Sequence, residues 1–359
     1  MLKKPPTPPM RARGRIPKLH EVATLAGVSP ATVSRAFNEP ALLNADTLAR
    51  VTAAARTLRY QPNGVARSLR RNRSMTIGAV IPSFRYAYFS SSVEGLQAAL
   101  VARGYSLLIA TSNYEEATEL DAVRAMLKHG VDGVVLVGLQ HDPELLQLLD
   151  DCATPYLITW SYDPAQPCIG FDHRKAMESV VNHLLDLQHR EIAVVMAFLR
   201  VSDRERDRLA GIESALKRRG IAFAAERQVV FAGGSGPQDG RNALRAVRHK
   251  LPAATALICA NDLLAAGAIM ECRAQQIAVP AALSITGYSD LEIAAAMEPG
   301  ITTVRTPSEK LGQLAGEWLI DKLAGRSVMD HRELATELII RGSTGPAATP
   351  LIHLSGTPR

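Results

Sequence analysis

The 359-residue sequence predicts an α/β protein: an N-terminal three-helix helix-turn-helix head followed by two doubly wound parallel α/β subdomains. Three observations predict it. Residues 18–62 carry short apolar stripes at helical spacing, interrupted by a glycine turn and a Ser-Pro start. Residues 75–345 alternate continuous apolar runs with amphipathic stretches. Charge is unevenly placed: residues 1–73 hold 14 Lys/Arg and three acids, a surplus of +11, against +6 for the whole chain, so the remainder carries −5. A basic head on a mildly acidic body is the electrostatic footprint of a nucleic-acid module joined to something else.

Residues 1–17 are basic, lack an apolar signal core, and read as a disordered tail. No apolar run in the chain reaches the ~18 residues that span a bilayer. A cytoplasmic protein is the expectation. In the head, Leu19, Val22, Ala23 and Ala26 form one apolar stripe on a helix of two turns. Gly27 suits a left-handed turn that ends it. Ser29 can cap the next helix, and Pro30 fits its first position, where a missing N–H costs nothing. Val33 and Phe37 face back toward the first helix. Asn44 can cap a third helix, with Asp46 in its positive first turn and a stripe of Leu48, Val51, Ala55 and Leu58.

In a helix-turn-helix the second helix enters the major groove N-terminus first. Its outward positions are Pro30, Ala31, Thr32, Ser34, Arg35 and Asn38. Arg35 has the planar fork that can bind guanine O6 and N7 together, worth ~1–3 kcal/mol of base discrimination. Pro30 and Ala31 can only touch thymine methyls or exclude bulk. Thr32, Ser34 and Asn38 are of the type that holds phosphates. A protein-binding helical bundle would show the same apolar stripes; the basic surplus and the Arg35 face favour DNA.

Pro62 is expected to end the third helix, and Asn63 to cap a new one. The segment "GVARSL" is too short to be a stable helix alone in water. Arg67, Arg70, Arg71 and Arg73 repel one another until an anion neutralises them. Residues 63–74 therefore read either as a hinge that folds on DNA, with Leu69 a candidate minor-groove wedge, or as a plain interdomain linker.

The body runs "MTIGAVIP", "YSLLIATS", "DGVVLVGL" and "YLITW", then "IAVVMAF", "QVVFAG", "ALICAN" and "LSITGYS", with amphipathic stretches between. Apolar strands separated by helices mean parallel sheets covered on both faces. Two successive sets mean two doubly wound subdomains, with a ligand cleft beyond the carboxyl ends of the strands. The chain contains no GxSxG, GxGxxG, Walker A or HExxH. No catalytic residue, metal or cofactor is expected, and the chain is not read as an enzyme. Cys152, Cys168, Cys259 and Cys272 form no CxxC pair and read as buried, reduced, small apolar residues.

The stretches "EVATLAGVSPATVSRAFN", "TLRYQPNGVARSLR", "IGAVIP", "RLAG", "ANDLLAAGA", "ITGYSD" and "TTVRTP" follow one another from about Leu19 to Gly342. In this order they resemble the lactose-repressor (LacI/GalR) family of bacterial transcription regulators. The resemblance implies a homodimer on a pseudo-palindromic double-stranded DNA operator and a periplasmic-binding-protein-like body. It places Arg35, Pro30 and Ala31 at base-reading positions. It makes 63–70 a hinge helix, with Asn63, Arg67, Leu69 and Arg70 at the DNA and Leu69 intercalating. The body divides into an N-subdomain, about 75–173 and 304–334, and a C-subdomain, about 174–303 and 335–345. Asn261 and Asp262 are implied to lie at the effector cleft, with Arg208 reaching ligand; the plain structural alternatives are a helix cap for Asn261-Asp262 and, for Arg208, a solvated helix-start charge among Arg204, Glu205, Arg206 and Asp207. Ser289 stands where sugar-binding relatives often carry an aspartate, which leaves the cleft less hostile to an anion. Trp160 ends its strand where a ring can stack on a sugar or simply pack, and Phe171, Asp172 and Arg305 lie at strand ends.

More locally, "PCIGFDH", "MECRAQQIAVP" and "MEPGITTVRTPSEKLG" are similar to the gluconate-utilisation repressors of this family. That implies a small-molecule effector such as gluconate or a ketogluconate; the sequence leaves open whether it releases or promotes DNA binding, and a catabolic sugar acid favours release. A purine or other effector, and a sugar-binding protein without a gene-regulatory role, are the alternatives. The tail 346–359 lacks a leucine heptad, so a dimer is expected, through helices such as "SVEGLQAALVARG" and "PELLQLLDDC".

Overall fold

The computed structural model describes residues 17–61, 73–85, 88–225, 229–231 and 234–347. Asn63, Arg67, Leu69 and Arg70, and the tails 1–16 and 348–359, lie outside the described residues. The chain divides into two units, Met1–Ser74 and Met75–Arg359.

In the head, α1 (Leu19–Ala26) and α2 (Pro30–Asn38) are joined at Gly27, and α3 (Ala45–Leu58) follows a short 3-10 turn, Pro40–Leu42. Gly27 has φ +64°, a conformation that costs a residue with a Cβ. Ser29 Oγ accepts the Thr32 N–H at 3.1 Å and Asn44 Oδ1 accepts the Thr47 N–H at 2.8 Å, so both start signals operate. Val22, Val33 and Val51, one from each helix, are fully buried at the centre of the cluster. The third helix ends at Leu58, four residues before Pro62. Arg59 turns left-handed at φ +51°, and the Tyr60 N–H bonds the Ala55 carbonyl at 2.8 Å. The Tyr60 ring then docks on Phe37 at 5.8 Å. The left-handed cap at Arg59 closes the helix, and Pro62 lies outside the described residues.

The body begins β1 (Thr76–Ile81), α4 (Tyr88–Val101), β2 (Ser106–Thr111), α5 (Glu116–Lys128), β3 (Gly133–Val137), α6 (Pro143–Asp151), β4 (Tyr156–Trp160), β5 (Cys168–Gly170). It continues α7 (His173–Asp186), β6 (Ile192–Met196), α8 (Asp203–Arg218), β7 (Val229–Phe231), α9 (Pro237–Lys250), β8 (Ala256–Cys259), α10 (Asp262–Ala274), β9 (Ser284–Thr286). The last elements are α11 (Glu292–Ala296), β10 (Thr303–Arg305), α12 (Ser308–Leu323), β11 (His331–Glu333) and β12 (Glu337–Ile339). One sheet has the order β11-β5-β4-β3-β1-β2 and a second β7-β6-β8-β9, both parallel throughout; β10 and β12 form an antiparallel pair. The chain leaves the first sheet after β5, returns with α12 and β11, and leaves again for β12. The strands β11 and β12 were not legible in the sequence, because "HRE" and "ELI" carry no apolar run.

Both faces of the first sheet are covered, as continuous apolar strands such as the fully buried "GVVLV" of β3 require. Phe89 and Leu96 of α4 with Leu311 and Leu319 of α12 pack one face, and Val123 of α5 with Leu145 of α6 the other. Helices α4 and α12 approach so closely that a Cβ on Gly312 would lie 1.8 Å from the Ser92 carbonyl oxygen. The four cysteines are free; three are buried, whereas Cys152, expected inside, is exposed at the end of α6. No described helix is long and apolar enough to cross a membrane. Gly312→Ala must push α12 off α4. We expect it to cost roughly 1–3 kcal/mol, visible as a fall of several degrees in the calorimetric midpoint of the body.

Candidate DNA-reading face and effector cleft

The exposed N-terminal end of α2 presents Ser29, Pro30, Ala31 and Arg35 to solvent; Thr32, Ser34 and Asn38 are half-buried. The Ser29 and Thr32 hydroxyls lie 2.9 Å apart, so each satisfies the other. Asn38 Nδ2 donates to the Ser34 carbonyl at 2.6 Å and to its hydroxyl at 3.3 Å. Three of the six outward positions thus direct polar groups back into their own helix. Arg35 remains the long, exposed, cationic side chain on this face, held outward because Val33 and Ala36 turn inward.

In the body, a cleft opens at the carboxyl ends of both sheets. Its walls come close together, and the space left is about 10 Å³, room for about one water. One wall carries Trp160, Tyr88 and Tyr114; the other carries Arg208, Glu205, Asn261, Tyr288 and Ser289. Ser202 starts α8, its Oγ accepting the Glu205 N–H at 3.4 Å. One turn later Arg208 Nη2 donates to Glu205 Oε1 at 2.7 Å. Arg208 Nη1 donates to the Ala260 carbonyl at 3.3 Å, and the guanidinium lies 4.6 Å from the centre of the Tyr288 ring. Both partners are buried, yet Arg208 Nε and Glu205 Oε2 have no hydrogen-bond partner among the described residues. Burial pushes the Glu205 carboxyl up, against the pull of Arg208 and Arg204.

His173 bridges the two walls. Its Nε2 is 2.9 Å from the Trp160 carbonyl, which can only accept, so Nε2 carries the proton. Nδ1 then accepts the Tyr288 hydroxyl at 2.9 Å. Burial, helped by Arg208, holds this imidazole well below its usual range, and burial raises Tyr288; both stay neutral. Beside them Asp203 Oδ2 accepts the Ser161 hydroxyl at 2.6 Å and the Leu139 N–H at 2.9 Å, while Oδ1 receives Arg204 at 2.9 Å. Burial alone would raise this carboxyl, but Arg204 and the two donors hold it at about 2. Asp203 thereby ties the start of α8 to the ends of β3 and β4. At the rim Tyr114 stacks on Phe198 at 4.7 Å, and Arg206 donates to Gln140 at 2.7 Å.

Of the six cleft residues expected from the sequence, the structure brings Trp160, Arg208, Asn261 and Ser289 together. Asn261 also caps α10, its Oδ1 accepting the Leu264 N–H at 2.9 Å. Trp160 is clamped edge-on by Phe89 and Phe171, at 5.1 and 5.7 Å. Asp262 does not join them. Its carboxylate turns away, accepting the Thr303 hydroxyl at 2.5 Å and the Leu291 N–H at 2.7 Å. A Cβ on Gly287 would lie 2.2 Å from its Oδ1, so "TGYSD" needs glycine there. Arg305 is also elsewhere, half-exposed on β10 and paired with Asp290 at 2.7 Å and Glu337 at 3.3 Å. Ser289 removes one carboxylate from the cleft as expected, but a second carboxylate, Glu205, lies against Arg208. Glu205 neutralises it, and only its position three residues before Arg208 could have signalled this. His173, Tyr288, Tyr88 and Tyr114 were missed because their partners are far away in sequence.

Residues 18–63 match the family described as bacterial regulatory proteins, lacI family, and residues 181–344 match a periplasmic binding protein-like domain. The crystal structure of transcription regulator GntR from Chromobacterium violaceum is 32% identical, covering 75% of this chain and 99% of that one, with a TM-score of 0.72. The chain belongs to the lacI family. The lac repressor dimer bound to operator and the anti-inducer ONPF is 27% identical over 92% of this chain and 100% of that one, with a TM-score of 0.82. The HTH-type transcriptional regulator GntR of Escherichia coli K12 is 29% identical over 316 residues, 87% of this chain and 93% of its own. The ribose operon repressor of the same strain is 29% identical over 329 residues, 90% and 99%. These relatives are transcriptional regulators, and this lacI-family chain is a DNA-binding transcriptional repressor.

Burial raises Asp262 to about 6, above its unfolded value of 3.8. A raised carboxyl contributes stability that is complete at low pH and lost as pH rises through about 6, here roughly 3 kcal/mol. Asp262→Asn removes that term. Denaturant midpoints of the variant and the wild type should therefore converge below about pH 4 and shift in the variant's favour between pH 4 and 7; parallel profiles would contradict the assignment.

Proposed function

We propose that this lacI-family repressor leaves a palindromic DNA operator when a sugar acid of the gluconate kind enters the cleft of its body. The observation that carries the reading is Arg208, a buried guanidinium whose Nε–H has no partner and lies in the cleft wall. Arg208 would take the effector's carboxylate, Asn261 and Ser289 its hydroxyls, and the Trp160 ring the carbon chain. The local likeness to gluconate-utilisation repressors and the GntR relatives support the same ligand class.

At the DNA, Arg35 is the base reader. Pro30 and Ala31 act by shape, and Thr32, Ser34 and Asn38, whose polar groups close on their own helix without DNA, would turn outward to the phosphates. The hinge segment, with Asn63, Arg67, Leu69 and Arg70, would link the two events in a homodimer by folding in the minor groove only when the paired bodies hold it close. To release DNA, the effector must bind one state of the body better. A hundredfold preference supplies about 2.7 kcal/mol of bias. A second reading, an uncharged sugar or a purine, is favoured by the Glu205–Arg208 pair, which leaves the arginine already neutralised.

Arg35→Ala should lower the preference for operator over random DNA by about 5- to 150-fold per half-site, the ~1–3 kcal/mol of a bidentate contact, and leave effector affinity unchanged. Fluorescence anisotropy with both DNAs measures it, and an unaltered preference removes Arg35 from the groove. Arg208→Ala should bind operator normally but no longer release it on addition of gluconate. A normal release curve for this variant would exclude Arg208 as the anchor.

A further inference from the structure

The charges around the cleft cancel. Arg204 is matched by Asp203, and Arg208 by Glu205, at 2.9 and 2.7 Å. A sugar acid adds a negative charge to a buried space that has no uncompensated cation among its described walls. Arg208 Nε is open, but a carboxylate that grips the guanidinium by two parallel bonds also needs Nη2, which Glu205 holds, while Nη1 serves the Ala260 carbonyl. Displaced from Nη2, Glu205 would be a buried carboxylate without its cation, beside a second carboxylate, and such a group takes up a proton.

Resting on the sugar-acid reading, we propose that Glu205 is the specificity-determining residue of the cleft: it holds the place of the effector's carboxylate on Arg208, and yields it by accepting one proton from solvent. The atoms balance, since the ligand enters as an anion, a solvent proton joins Glu205, and Arg208 exchanges one carboxylate for another. The unpartnered Glu205 Oε2 and Arg208 Nε are the atoms through which the exchange begins, one able to accept and the other to donate. Protonated Glu205 becomes a donor to the ligand. An uncharged polyol leaves the pair intact and takes up no proton.

The groups facing Glu205 leave it as the one whose protonation a ligand on Arg208 can change. On its own helix Asp203 stays ionised down to about 2, and Arg204 and Arg208 stay charged. From α7, His173 is held neutral by burial; Tyr88 of α4 and Tyr288 after β9 are pushed up by burial, and the Tyr114 hydroxyl faces that of Tyr88 at 3.4 Å. Losing Arg208 as partner raises Glu205 further, so its proton affinity is higher with effector than without. Sugar-acid affinity must therefore fall as pH rises.

The test is titration calorimetry of the full chain with gluconate and with glucitol, its uncharged counterpart, from about pH 5.5 to 8 in buffers of different ionisation enthalpy. Gluconate should be bound with uptake approaching one proton and should weaken toward the tenfold per pH unit that linkage allows. Glu205→Gln should make the gluconate affinity flat with pH and tighter than wild type at pH 8. Gluconate binding to wild type without proton uptake, at constant affinity, overturns the proposal and leaves the sugar-acid reading standing. Binding of glucitol but not gluconate at every pH overturns both. If the variant does not fold, the wild-type buffer dependence decides alone.

Discussion

A buried guanidinium organises the body's cleft. Arg208 cannot shed its charge, so everything around it must either neutralise it or accept from it. Glu205 does the first and the Ala260 carbonyl the second. The Tyr288 ring covers the guanidinium, and Tyr288 is positioned in turn by His173. The imidazole is kept neutral partly because that same arginine is near. Moving the Arg208 partner therefore changes the setting of a tyrosine, a histidine and the Trp160 carbonyl, which belongs to the other sheet.

The second constraint lies one turn earlier in the same helix. Asp203 joins α8 to the ends of β3 and β4 through Leu139 and Ser161. Gly138 accommodates the close approach: a Cβ there would meet Arg204 at 2.1 Å. The Asp203 contacts and the Glu205–Arg208 pair share one helix, so any rotation of α8 would move both.

The head works by a simpler logic. Its helices are too short to persist alone, and three valines with the alanines around them supply the core that holds them. Because so little of α2 is available for packing, its exposed end can be given to DNA. The polar groups of Thr32 and Asn38 bond within the helix that exposes Arg35.

What the sequence determined by itself was whatever depends on near neighbours. The Ser29 and Asn44 caps, the Gly27 turn, the apolar runs of both sheets and the basic surplus of the head are all local, and all were legible. So was the placement of Trp160, Arg208, Asn261 and Ser289, because strand and helix ends can be read from periodicity and from the family resemblance. Tertiary structure alone decided where the polar side chains went. Asp262 looks like a cleft residue beside Asn261, but Thr303, 41 positions later, claims its carboxylate. His173 meets Tyr288 across 115 positions, and no spacing rule reaches that far. Glu205 reads as one solvated charge in an Arg- and Asp-rich helix start. It becomes the partner of Arg208 because the two sheets bring their ends together over it and remove the water that would otherwise have separated the pair.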